Sequence, residues 1–132
     1  MSAAAVIYAR LSATTAVTAL VSTRIYPDVL PDSPVYPAIT YHQISGSSER
    51  GAIVDPVMLM SMMQITCWAK SRNQARAIAD QVRKAMDRLR LVTLGNTVLN
   101  DCFFENDVDL YDPPTKTYYV ALDFRMHIKD NV

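Results

Sequence analysis

The sequence predicts a two-layer α+β domain, a mostly antiparallel four-stranded sheet with two helices on one face. Three observations carry this. Residues 71–90 place apolar side chains at helical spacing. Residues 117–129, TYYVALDFRMHIK, alternate apolar and polar as a half-buried antiparallel strand does. The elements follow in the order α–β–β–α–β–β, so two helices can cover one apolar face of a single sheet.

The first element is helical, over residues 3–22. Ala4, Ile7 and Leu11 lie at helical spacing, and Val17, Leu20 and Val21 resume it. The Ser12-Ala13-Thr14-Thr15 cluster between them either breaks the helix, with Thr14 or Ser12 capping the second part, or is the weak middle of one helix. Residues 24–37, RIYPDVLPDSPVYP, hold four prolines. Each fixes φ and removes a backbone donor, so the stretch is neither helix nor central strand. It reads as a stiff, turn-punctuated strap that loses little entropy on ordering.

A strand is expected over 38–44, AITYHQI, and a flexible loop over 45–57. That loop is long for a compact domain, and long loops tend to be functional or disordered. The next strand, 58–69, is apolar on both sides. Met58, Met60, Met62, Gln64, Thr66 and Trp68 face one way; Leu59, Met63, Ile65 and Cys67 face the other. Its methionines are core filling or an adaptable contact surface.

The second helix spans 72–90. Ser71 and Gln74 form a capping-box pattern, and Ala75, Ile78, Ala79, Val82, Met86 and Leu89 make the apolar stripe. Cations crowd its carboxyl end, where the helix dipole favours them. Gly95-Asn96 makes a turn, an irregular strand follows over 97–107, and a polar turn near 112–116 joins it to the strand at 117–129 as a hairpin.

The chain is 132 residues long, one domain's worth, with half its residues apolar and zero formal net charge. Such a balance argues against a protein that coats nucleic acid, and it leaves self-association undisfavoured. Two cysteines, Cys67 and Cys102, form no secreted disulfide framework and read as buried thiols in a reducing compartment. No signal peptide and no stretch of membrane-spanning length is visible, so synthesis in the cytoplasm is expected.

Chemistry-bearing motifs are absent. His42 and His127 have no metal-ligand spacing, and the three glycines form no phosphate-cradling loop. Residues 105–112, ENDVDLYD, superficially resemble a calcium loop but lack its glycine and final glutamate, and read as a solvated turn. No catalytic residue, metal site or cofactor is expected. A small enzyme or ligand-binding domain using Cys67 or His127 is the remaining contrary reading.

Several segments carry a family resemblance. RIYPDVLPDSPVYPAITYHQISG is similar to the strap and strand that follow an amino-terminal helix in tail-completion, or tail-terminator, proteins of long-tailed bacteriophages. QITCWAKSRNQARAIADQVRKAMD resembles that family's strand running into an alanine- and valine-rich helix, and ENDVDLYDPPTKTYYVALDFRMHIKD its closing hairpin. The resemblance covers about residues 3–130, and the departure is the loop at 45–57 with the Met-rich strand after it.

The resemblance implies a virion structural protein with no enzymatic role. It implies a ring, typically a hexamer, that caps the head-proximal end of the tail tube, ends tail growth and offers a docking surface to the head. Its partners would be its own copies, the tail tube protein and a head–tail connector protein. DNA would pass through without sequence-specific binding, and no membrane is involved. Another head–tail connector or adaptor of similar fold is the neighbouring alternative. Candidate assembly contacts are Glu49, Arg50 and Asp55 in the loop, Arg72, Arg76 and Arg83 on the helix, and Met60 and Met62 on the Met-rich strand. The arginines either form a solvated helix exterior or meet acidic surface on a neighbouring subunit, or phosphate.

Overall fold

The amino-terminal apolar stretch folds as two helices, α1 (Ala3–Ala13) and α2 (Thr15–Val21), bent by 84° at Thr14. Thr14 takes the N-cap position of α2 with extended φ and ψ. Its hydroxyl does not cap that helix, donating instead to the Arg10 carbonyl at 2.7 Å. The bend lets both pieces face the sheet, with Val6, Ile7, Leu11, Val17 and Val21 all buried. This computed structural model describes residues 3–49, 58–94 and 97–130.

The remaining elements are β1 (Ile25–Pro27), β2 (Ala38–Glu49), β3 (Met58–Ala69), α3 (Arg72–Met86), β4 (Arg90–Leu94), β5 (Thr97–Asp112) and β6 (Thr117–Asp130). Among the described residues the sheet has six strands in the order β1-β2-β3-β6-β5-β4, and of their pairings only β1–β2 is parallel. The class is therefore α+β as expected, but with six strands where four were expected and three helices where two were.

Both extra strands sit at the sheet margins. β1 comes out of the proline strap: Ile25, Tyr26 and Pro27 run beside Ile39, Thr40 and Tyr41. A strand ending in proline is tolerated there because the margin needs no donor on its outer side. β4 comes out of the segment read as the end of the second helix. α3 stops at Met86 rather than at residue 90; Asp87 has φ −67° and ψ 131°, and Arg88 has φ 62°. The Arg88 N–H then donates to the Cys102 carbonyl at 2.7 Å, which starts the β4–β5 pairing.

Two other boundaries move. β2 runs on through Glu49 into the segment expected to be loop, with a register shift between Gln43 and Ser45. Residues 50–57 and the expected Gly95-Asn96 turn lie outside the described residues. β5 runs to Asp112, so the acidic stretch 105–112 is strand and not a solvated turn.

The core lies between the sheet and the three helices. Ile39, Cys67 and Val120 share one row of the sheet, and Tyr41, Ile65 and Leu122 the next, all turned toward the helices. Against them α3 turns Ala75, Ile78, Ala79, Val82, Ala85 and Met86. The Ser71 hydroxyl accepts from the Gln74 N–H at 3.2 Å, as the capping pattern predicts. Burying a side chain such as Ile65 or Leu122 contributes about 1.5–3 kcal/mol, so this layer holds the sheet and helices together.

Candidate assembly surface

The helix-free face of the sheet carries polar and apolar side chains that are already partnered. The Trp68 ring stacks on Tyr119 with centroids 4.5 Å apart, and its Nε1 donates to Thr40 Oγ1 at 3.0 Å. Gln64 Nε2 donates to Asp123 Oδ1 at 3.0 Å, Arg125 Nε pairs with Glu105 Oε1 at 2.9 Å, and His127 Nδ1 lies 2.6 Å from Asp101 Oδ1. Met60 and Met62 lie half-buried on this face, in register with His127 and Arg125. Met63, on the other side of the alternation, faces the core. Cross-strand partnering of this kind fixes side chains in place and makes a rigid surface.

The arginines of α3 turn toward β5. Arg76 bridges two carboxylates, with Nη1 2.9 Å from Asp109 Oδ1 and Nη2 3.0 Å from Asp107 Oδ2. Arg72 Nη2 lies 3.2 Å from Asp109 Oδ2. The Arg83 guanidinium sits over the Phe104 ring, 4.9 Å from its centroid. The partners of Arg72 and Arg76 are thus within the chain, on the acidic flank of its own hairpin. Burial lowers the Arg76 pKa, but the hydrogen bonds and charges of Asp107 and Asp109 outweigh it and raise the value.

The sheet brings Arg72, Arg76 and Arg83 to one margin and leaves Met60 and Met62 on the opposite face. Glu49 ends β2, in register with Met58. Arg50 and Asp55 lie outside the described residues.

That margin is stepped. β4 covers β5 only from Thr97 to Asp101, while β5 continues to Asp112. At the step the Asp87 carboxylate accepts from the Phe104 N–H at 3.0 Å. From Glu105 onward, among the described residues, no strand lies beside the outer edge of β5. Charged side chains at Glu105, Asp107, Asp109 and Asp112 line this stretch, as they do on natural sheet margins exposed to solvent. Sequence reasoning missed β4 and the step it creates. The run LVTL at 91–94, β-branched and apolar, is the signal that could have found them.

The margin also holds two hollows. One, of about 170 Å³, lies between the start of α3 and the hairpin, lined by Arg72, Ala75, Asp109, Tyr111, Tyr118 and Val120 among others. The other, of about 240 Å³, lies between α1 and β4 against Val6, Ala9, Ala13 and Val92. Cys67 and Cys102 are fully buried, and burial pushes both thiols up, Cys102 to about 12. Neither is placed to act as a nucleophile. Among the described residues no group of three or more His, Cys, Asp or Glu side chains could hold a metal ion, and no single helix is long and apolar enough to cross a membrane.

The family described as tail completion protein gp17 matches residues 5–129. The chain belongs to that family. A chain from a structure titled "Virion of native gene transfer agent (GTA) particle" has the same fold, with a TM-score of 0.73 at 19% identity. The match covers 93% of this chain and 91% of that one. No curated protein matches the chain in sequence. As a member of the tail completion family it is a bacteriophage tail structural protein, a component of the phage particle and not an enzyme. The fixed, partnered surfaces of this tail completion protein suit a part that works by shape.

Proposed function

We propose that this tail completion protein assembles as a ring, a hexamer, at the head-proximal end of the tail tube. There it ends tube growth and joins tail to head. Its neighbours are its own copies, the tail tube protein on one side and the head–tail connector protein on the other. DNA crosses the ring without sequence-specific contact.

The match of the tail completion family to residues 5–129, nearly the whole chain, carries this reading. The stepped sheet margin supports it, because an asymmetric surface suits heterologous contacts that close into a ring. Electron microscopy of particles made without the protein tests it. Tubes of uncontrolled length, free of heads, are expected; tails of normal length joined to heads would refute the proposal.

A further inference from the structure

The sheet has an open strand edge on each margin. β1 runs beside only residues 39–41, and among the described residues no strand lies beside the outer edge of β2 over 42–49. On the other margin the same holds for β5 over 105–112, beyond the reach of β4. Among the described residues, neither stretch makes a backbone–backbone hydrogen bond outside its own strand pairing.

Sheets keep such edges from pairing with proline, charge or a covering element. β1 is guarded in this way: Pro27 has no N–H, its carbonyl accepts from the Val29 N–H at 2.7 Å, and the Ile25 N–H donates to the Thr23 carbonyl at 2.9 Å. The β2 edge is not. Residues 43–48, QISGSS, hold neither proline nor charge, and Gln43, Ile44, Ser45 and Gly46 are exposed. A register shift bends the strand between Gln43 and Ser45, but from Ser45 to Glu49 its pairing is regular again. β5 carries charge, yet most of it is neutralised within the chain. Glu105 pairs with Arg125, and Asp107 and Asp109 pair with Arg76 and Arg72. Val108 and Leu110 stand 45% and 43% exposed among those carboxylates. Charge therefore does not choose what covers these edges; their backbones do.

The geometry of the two edges is complementary. Three successive antiparallel pairings separate β2 from β5, so the two strands run in opposite directions. Placed head to tail, β5 of one copy and β2 of the next meet in antiparallel pairing. The open stretches also lie at opposite ends of the sheet. His42 is level with Asn106 through Gln64 and Asp123, and Glu49 is level with Val98 through Met58 and Lys129. β1 and β4 close the other end of each margin, which leaves two notches of matching length. Displacing each copy along the strands by one notch length seats one open edge in the other, as strand tilt does around a closed barrel. A two-fold contact through either edge would leave the second edge open, whereas a head-to-tail contact covers both.

We propose that β5 of one copy, over 105–112, adds as an antiparallel strand to the outer edge of β2 in the next copy, so that the sheet continues from subunit to subunit. This deepens the ring reading and rests on it, because a contact between two different edges is heterologous and closes when the rotation allows.

A chain carrying Ser45→Cys together with Val108→Cys, and a second carrying Ser45→Cys with Leu110→Cys, test the contact. Ser45 is in register with Met62 and Val108 with Ala121, on the helix-free face. β3 and β6 stand between the two positions in one chain, which puts them roughly 14 Å apart, too far for a disulfide. The native thiols are buried. Oxidation of the concentrated protein or of assembled particles should give a ladder of covalent multimers with one of these pairs, collapsed by reduction, and no single variant should give it. In parallel, Ser45→Glu with Val108→Glu should raise the midpoint concentration of association about tenfold, and Ser45→Lys with Val108→Glu should not. Both pairs place the same number of charges at exposed positions, so a general disturbance of the fold would move them alike. Assembly that gives no ladder and ignores these charges overturns the strand contact and leaves the ring standing. Covalent dimers from Ser45→Cys alone, the mark of a two-fold contact between β2 edges, also overturn it. A protein that stays monomeric at every concentration and forms no ring on tails overturns both readings.

Discussion

The Asp87 carboxylate accepts a hydrogen bond from the Phe104 backbone N–H at 3.0 Å. The same residue closes α3, its own N–H donating to the Arg83 carbonyl at 2.8 Å. One residue thus ends a helix through its backbone and, through its side chain, satisfies the β5 donor just beyond the reach of β4. Replacing it with alanine leaves that part-buried N–H without its partner, which costs about 1–2 kcal/mol. Asp87→Asn retains a carbonyl acceptor and should cost less than half as much. Urea melts of both variants check this, and equal losses would show that the carboxylate's charge, not its acceptor, is what matters.

The Arg76 bridge is expected to contribute little. Its side chain is 36% exposed, and water and salt screen the pairs with Asp107 and Asp109. Arg76→Ala should lower stability by roughly 0.5–1 kcal/mol, with the difference shrinking in high salt. Arg76→Lys, which cannot span both carboxylates in the fork geometry, should recover only part. Melts at low and high ionic strength distinguish the outcomes; a loss indifferent to salt would point to packing of the side-chain stem instead.

The core prediction is larger. Phe124 is fully buried and meets Phe104 edge-on, with centroids 5.8 Å apart. Phe124→Ala should cost about 3–5 kcal/mol, a large share of the stability of a domain this size. Phe124→Leu should remain folded and melt a few degrees lower. Thermal denaturation followed by circular dichroism measures both.

The thiols give stability a pH dependence. Burial holds the Cys102 thiol up to about 12 against an ordinary value of 9.0, with Asp87 and Asp101 adding to it. Burial raises Cys67 as well, slightly opposed by Arg76. In the unfolded chain each thiol ionises near 9.0, while in the folded protein it keeps its proton. The unfolded state then binds fewer protons, so stability is complete below pH 9 and falls as pH rises above it. The slope should approach 1.4 kcal/mol per pH unit for each thiol. Cys102→Ala should flatten that slope even if it lowers stability at neutral pH. A thiol reagent should find neither cysteine in the native protein and both after unfolding.

Local pattern decided much of this molecule. The α3 stripe from Ala75 to Met86 and its Ser71 cap were legible because helical spacing and capping involve residues a turn or two apart. The alternation of β6 and the split of the Met-rich strand into two sides were legible for the same reason, while which side turns inward, that of Met63, came from the packing. The family resemblance was legible too, in segments read in order along about residues 3–130, and the family matches residues 5–129. The candidate contacts were less so. The pattern placed Arg72 and Arg76 on a solvent-facing flank, but the carboxylates they meet, Asp107 and Asp109, are some thirty residues away in the chain, and only the packing of α3 beside β5 joins them.

The sequence by itself determined the α+β class, a helix beginning at Arg72 behind its Ser71 cap, the closing hairpin and the absence of catalytic motifs. All of these follow from periodicity and residue chemistry within short windows. Tertiary structure alone decided the two marginal strands, the early end of α3 at Asp87 and the step it leaves in the sheet. Residues 88–90 are good helix formers, and nothing local stops them. They leave the helix because the Cys102 carbonyl and the Phe104 N–H, brought alongside by the fold, satisfy Arg88 and Asp87 better than another helical turn would.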